Sequence, residues 1–264
     1  MSSNRRYTLS LSCPDRVGIV AAVSSFLAQH KGWITEASHH ADPEAMRFFM
    51  RQEILADSLP FGIAAFRDKF FPIAREFDIE PDASSASYPL AAAAICGGRV
   101  CVPGLTDQSL QGDAAFCHVL ARMGCDVTQD ATGTTVSRSG PLRGLAINMV
   151  DLSDLVPTLA AVAAFADATT DIYGVGFIRN KESDRLTDLC LELRKAGVDA
   201  QDYPDGLIVQ PSQAHSATLA THHDHRLAMA FALVGLGASG IIVEDPDVVS
   251  KSWPDFWTMI ESLR

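Results

Sequence analysis

"DHRLAMAFALVGLGA" (residues 224–238) decides the fold: one aspartate precedes a helix-length run that is apolar on nearly every side. Such a run belongs inside a protein. The aspartate suits the N-cap, where a carboxylate accepts backbone N–H groups that have no partner within the helix. The pattern occurs twice more, as "DASSASYPLAAAAICGG" from Asp82 and "DLVPTLAAVAAFADA" from Asp154, with the starts 72 and 70 residues apart. A fixed period of this kind marks repeated architecture.

Each buried run leads into a strand pattern ("GRVCVPGL", "TDIYGVGFI", "SGIIVEDP") and then an amphipathic helix. The apolar stripes are Phe116, Val119, Leu120, Met123; Leu186, Leu189, Cys190, Leu193; and Phe256, Met259, Ile260, Leu263. All three follow i, i+3, i+4, i+7 spacing. The first two helices continue into strand-like "CDVTQ" and "VDAQDY". The third has no such continuation, so its repeat is expected to be truncated.

Residues 1–80 have a different character. "YTLSLSC" alternates with period two, "PDRVGIVAAVSSFLAQHKG" has helical spacing, "WITEASHHAD" and "MRFFMRQEIL" read as strands, and "FGIAAFRDKFFPIAREF" is a second amphipathic helix. This β-α-β-β-α order predicts a ferredoxin-like module whose last strand comes from about "DIEP" or is absent. The expected fold class is therefore α+β: a ferredoxin-like module over 1–80, then repeated α/β units with buried helices over 81–264.

The chain carries 21 Lys and Arg against 32 Asp and Glu, a net charge of −11. That excess repels phosphate backbones and anionic lipid, so neither nucleic acid nor a membrane surface is expected as a partner. No signal-peptide pattern or apolar run of spanning length is visible. Cys13, Cys96, Cys101, Cys117, Cys125 and Cys190 lack metal-ligand spacing and read as small buried hydrophobes of a reduced, cytoplasmic protein.

Chemistry concentrates where the repeats differ. "SLQGD" (109–113) is weakly charged, whereas "RNKESDRL" (179–186) and "VSKSWPD" (249–255) carry lysines at corresponding places. If the repeats fold alike, one end gathers Lys181, Arg185, Arg226 and Lys251 with the partial positive charge of several helix N-termini. Such a set suits a ligand bearing phosphate and carboxylate groups. Asp154 and Glu182 are then candidate general base and acid. The alternative leaves Asp154 as an N-cap and Glu182 as a solvated first-turn residue, and spacing does not separate the two. "HHDH" (222–225) has no ligand pattern beside it and is not read as a metal site. Ser84, Ser85 and Ser87 read as first-turn capping residues.

"DASSASYPLAAAA", "LQGD", "NKESDRL", "ELRKAGVDA", "DHRLAMAFAL" and "VSKSWPDFW", in this order, resemble the 5-enolpyruvylshikimate-3-phosphate (EPSP) synthase family across residues 81–264. The resemblance implies transfer of the enolpyruvyl group of phosphoenolpyruvate to shikimate 3-phosphate in the shikimate pathway of aromatic amino acid biosynthesis. No metal or organic cofactor is implied. By position, Asp154 matches the carboxylate at the shikimate hydroxyls and Lys181 the lysine at shikimate 3-phosphate. Glu182 matches the glutamate of proton transfer. Arg185, Arg226 and Lys251 match cations around phosphoenolpyruvate, with His225 beside them. Phe177 stands where the family usually has asparagine, which removes a polar contact to shikimate 3-phosphate.

The family has two three-unit domains facing across a cleft, and the resemblance covers most of the second. The resemblance therefore implies weak or no turnover by this chain alone. "RYTLSLSCPDRVGIVAAVSSFLAQHKGWITEASHHADPEAMRFFMRQEI" resembles the N-terminal ACT domain of formyltetrahydrofolate deformylase, with Gly18 expected to permit close approach. That resemblance implies pairing of two chains through their sheets as a homodimer. The deformylase catalytic domain has no counterpart here, so deformylase activity is not supported. The abrupt junction at "FDIEPDASS" reads as a fusion, and the alternative function is a non-catalytic, ACT-containing anion-binding or chimeric protein.

Overall fold

The structure is a computed structural model that describes residues 5–263. The chain divides into two compact modules, Met1–Pro81 and Asp82–Arg264, each with a hydrophobic core of its own.

The N-terminal module runs β1 (Arg6–Pro14), α1 (Ile19–Gln29), β2 (Trp33–Asp42), β3 (Arg47–Leu55) and α2 (Ile63–Glu76). Its antiparallel sheet has the order β1-β3-β2. The two helices follow the predicted amphipathic patterns and bury Val23, Phe26, Leu27, Phe66 and Phe70 with Phe48, Met50 and Ile54 of β3. Arg6, Glu36, Arg51 and Glu53 form exposed ion pairs, which are worth little for stability in water. No strand follows α2 in this module among the described residues. "DIEP" instead sends the Glu80 N–H to the Ser12 carbonyl of β1 at 3.4 Å, and the Glu80 carboxylate accepts from Arg47. Gly18 is needed for its backbone: φ is +102°, while an added Cβ would meet only Phe77 at an ordinary 3.9 Å. The close-approach expectation is thus replaced by a conformational one.

The C-terminal module holds the three repeats. The first is α3 (Ala83–Cys96), β4 (Gly98–Pro103), α4 (Phe116–Arg122), β5 (Asp126–Asp130) and β6 (Gly133–Arg138). The second is β7 (Ala146–Asn148), α5 (Val156–Ala163), β8 (Thr170–Tyr173), α6 (Thr187–Lys195), β9 (Ala200–Tyr203) and β10 (Gly206–Val209). The third is β11 (Ala217–Leu219), α7 (His225–Gly237), β12 (Ile241–Val243) and α8 (Phe256–Ser262). The complete second repeat has the sheet order β7-β8-β10-β9, against β4-β6-β5 in the first and β11-β12 in the third. Among the described residues the third therefore has no antiparallel hairpin, as expected, and the first has no leading parallel strand of the kind that β7 and β11 supply, a feature the sequence period did not disclose.

Helices α3, α5 and α7 form the centre, with most of their residues buried. Ala91 to Ala94 of α3, Ala160 and Ala161 of α5, and Ala228, Ala230 and Ala232 of α7 are buried there and let the backbones approach closely. At one end a Cβ on Gly237 would run into the Phe165 ring and Ile95, so the helix C-termini meet there. The opposite ends carry the polar residues. The strand expected over "TDIYGVGFI" stops at Tyr173, and Gly176–Asn180 turns into a 3-10 helix. Cys13, Cys117, Cys125 and Cys190 are buried, and burial pushes the Cys190 thiol up to about 12. Cys96 and Cys101 are exposed, a correction with a simple cause: they lie at the C-terminus of α3 and on the outward face of β4.

Candidate functional site

Four segments bring the predicted residues together at the N-terminal ends of the central helices. Val150–Leu155 and the start of α5 supply Asp154; the turn leading into α6 supplies Lys181, Glu182 and Arg185. The start of α7 supplies His225 and Arg226, and the 3-10 turn Pro246–Lys251 supplies Lys251.

Asp224 caps α7 as expected, accepting the Arg226 N–H at 2.8 Å, and Asp82 caps α3 through the Ser85 N–H at 3.2 Å. Asp154 does not cap. The chain enters α5 through a 3-10 stretch, Val150–Leu155, so helix α5 begins at Val156 with Leu155 in the cap position. The Asp154 carboxylate turns instead to cations: Oδ1 lies 3.0 Å from Arg185 and 3.7 Å from Lys181, and Oδ2 lies 3.0 Å from Arg226. A capping residue has become an internal counter-ion.

A second carboxylate is held nearby. Glu182 Oε2 accepts from Lys251 Nζ and His225 Nδ1, each at 2.8 Å. Burial raises its pKa, but those two hydrogen bonds outweigh burial, so the carboxyl lies below its usual range and is ionised at neutral pH. Burial, with Arg226 and Lys251 close by, holds His225 below the ordinary histidine value despite Glu182. The ring is therefore neutral at pH 7, with its Nδ1 proton on the side of Glu182.

Arg185 is 3% exposed and divides its donors between Asp224, at 2.7 and 3.4 Å, and Asp154, at 3.0 Å. Asp224 is wholly buried; burial raises its carboxyl, and Arg185 pulls it below the usual range. Glu182, Asp224 and His225 place donor atoms within 4.8 Å of one another. These donors already face Lys251, Arg185 and a backbone N–H, and so form part of an ion-pair network.

The two arginines of "RNKESDRL" part company. Arg179 points to β9, bonding Asp202 at 2.9 Å, the Tyr203 carbonyl at 2.7 Å and Asp184 at 3.1 Å, and so anchors the turn. Ser84 joins the Asp113 carboxyl, and burial raises that carboxyl despite this hydrogen bond. Sequence reasoning passed over Asp113, although "LQGD" stands at the start of the equivalent turn in the first repeat. Phe177 is 49% exposed.

The EPSP synthase (3-phosphoshikimate 1-carboxyvinyltransferase) family model matches residues 70–260. The 3-phosphoshikimate 1-carboxyvinyltransferase of Nostoc punctiforme is 46% identical over 70% of this chain, which is 43% of that relative's length. The EPSP synthase structure from Acinetobacter baumannii superposes over 70% of this chain and 46% of its own, with TM-score 0.58 and 25% identity. A formyltetrahydrofolate deformylase from Pseudomonas syringae aligns with 34% of this chain at 48% identity and TM-score 0.29. The chain thus spans less than half the length of the curated relatives it matches. With three repeats converging on one charged end and the family model covering most of the sequence, the chain belongs to the EPSP synthase family.

Proposed function

We propose that residues 82–263 supply one wall of a 3-phosphoshikimate 1-carboxyvinyltransferase site. The site would take phosphoenolpyruvate and shikimate 3-phosphate. The observation that carries this reading is the Asp154 carboxylate, which gathers Lys181 and Arg185 of its own repeat and Arg226 of the third. Asp154 neutralises three cations that an incoming dianion would otherwise meet, and its release toward a substrate hydroxyl would free them.

In the proposed reaction the 5-hydroxyl oxygen adds to C2 of phosphoenolpyruvate while a proton reaches C3. Phosphate and a C3 proton then leave. Asp154 takes the hydroxyl proton; Lys181, Arg226 and Lys251 offset the anionic groups, with His225 beside them. Glu182 is ionised as it stands, which suits removal of the C3 proton. Delivering a proton requires its neutral form, and movement of Lys251 onto the substrate would favour that form by removing a hydrogen bond that lowers its pKa. Arg185 is buried between Asp154 and Asp224, so it contacts phosphoenolpyruvate only after Asp154 withdraws.

The β-α-β-β-α order of residues 5–81 supports an ACT-type module, read as pairing two chains, and the free cysteines suit a cytoplasmic setting. Sedimentation of the full chain as a monomer at all concentrations would remove the pairing.

Phosphate release from the two substrates tests the main reading, with the chain alone and with the first domain of a relative added. We expect little release by the chain alone, because one wall cannot exclude water or fix both substrates, and clear turnover on addition of the first domain. No release and no binding of either substrate in both arms would overturn the reading. Ordinary family rates from the chain alone would overturn the one-wall assignment.

A further inference from the structure

Outside the site, one fully buried carboxylate has no part in the proposed chemistry. Glu192 of α6 accepts from Lys195 at 2.8 Å to each oxygen, from the Ala220 N–H at 3.0 Å and from His222 Nε2 at 2.8 Å. His222 Nδ1 lies 3.6 Å from Asp188 on the same helix. Glu192 therefore grips the segment between β11 and α7 at two points, one backbone and one side chain.

That segment is strained. His222 and His223 have φ of +50° and +59°, the left-handed region that residues with a Cβ avoid. His223 is exposed, so burial does not hold it there. The turn is closed by the Asp224 N–H on the Thr221 carbonyl at 2.9 Å. Asp224, His225 and Arg226 follow at once. Strain of this kind persists only where neighbouring contacts over-determine it, and the two bonds to Glu192 tie the turn to α6 while Asp224 holds its far end to Arg185.

We propose that Glu192 and His222 are positioning residues: their hydrogen bond, with the Glu192–Ala220 bond, fixes the left-handed turn that presents Asp224, His225 and Arg226 to the site. The pair touches none of the groups placed in the chemistry and acts only through the turn. Lys195 and Asp188 complete its surroundings on α6, so the histidine sits between two carboxylates and the buried one is balanced by a lysine. Burial raises the Glu192 carboxyl and the three donors lower it further than burial raises it, which agrees with an ionised anchor.

This inference deepens the site reading above, but its test needs no ligand. The reporter is the imidazole 15N spectrum of His225 in the full-length chain, because Nδ1 bonds Glu182 only when the turn is in place. We expect His222→Ala and Glu192→Gln to move the Nδ1 resonance to the position of a free imidazole, with far-UV circular dichroism unchanged. His222→Gln, whose amide N–H still reaches a carboxylate, restores the wild-type resonance. A wild-type His225 spectrum in His222→Ala, or loss in His222→Ala without recovery in His222→Gln, would overturn the proposal. Should Glu192→Gln fail to fold, the two His222 variants decide alone. Inorganic phosphate added to the wild type then separates the two readings: absent phosphate binding with an intact His225 effect refutes the substrate site and leaves the positioning pair standing.

Discussion

Asp82 and Asp224 stand at equivalent places in the first and third repeats, and both cap a buried helix. Asp82 is exposed and is served by Ser85 from its own first turn. Asp224 has no exposed surface and holds a buried arginine from another repeat. The backbone task is the same, but only one of the two has become part of a charge network. Repetition supplied the scaffold, and departure from repetition supplied the site.

The sharpest way to break this comparison is Asp224→Asn. Asparagine still caps, but Arg185 loses a buried partner, and an uncompensated buried charge costs about 3–5 kcal/mol. The measurement is urea unfolding of the variant against wild type. Its pH dependence carries a sign: the folded-state value of Asp224 lies below the unfolded one. Its contribution is therefore complete above about pH 4 and is lost as pH falls through the lower folded value. The stability gap between the two proteins should be full at neutral pH and narrow below pH 4; a gap constant across that range would contradict the pairing.

The other end of the helices offers a smaller effect. Gly237→Ala places a methyl against Phe165 and Ile95, and overpacking of this kind costs about 1–3 kcal/mol. Unchanged thermal stability would show that the three C-termini are looser than described. Asp82→Ala should be mildest, about 1 kcal/mol for the lost cap, with no change in the His225 spectrum. A shift in that spectrum would mean that the first repeat does share in the network.

The repeats were legible because a buried helix must be apolar all round, and three such runs at one spacing leave few arrangements. The residues of the site were legible for the same reason, since their loops had to meet. Asp154 could be read either as a cap or as a site carboxylate because capping and ion pairing need the same group, and only the 3-10 approach to α5 tells them apart. The missing leading strand of the first repeat left no local mark. Glu192 and His222 lie 30 residues apart, and no local pattern links them. The one available signal was a carboxylate on α6 beside Leu189 and Leu193, within the apolar stripe.

The ion pairs of the site join positions far apart in the chain: Asp154 to Arg226 across 72 residues, Glu182 to Lys251 across 69 and Arg185 to Asp224 across 39. Contacts of such long range form late, after the costs of closing large loops have been met. The network therefore requires that the repeats have docked. A chain whose repeats had not come together would carry the same charges without displaying the site, so the His225–Glu182 signal would report on that docking.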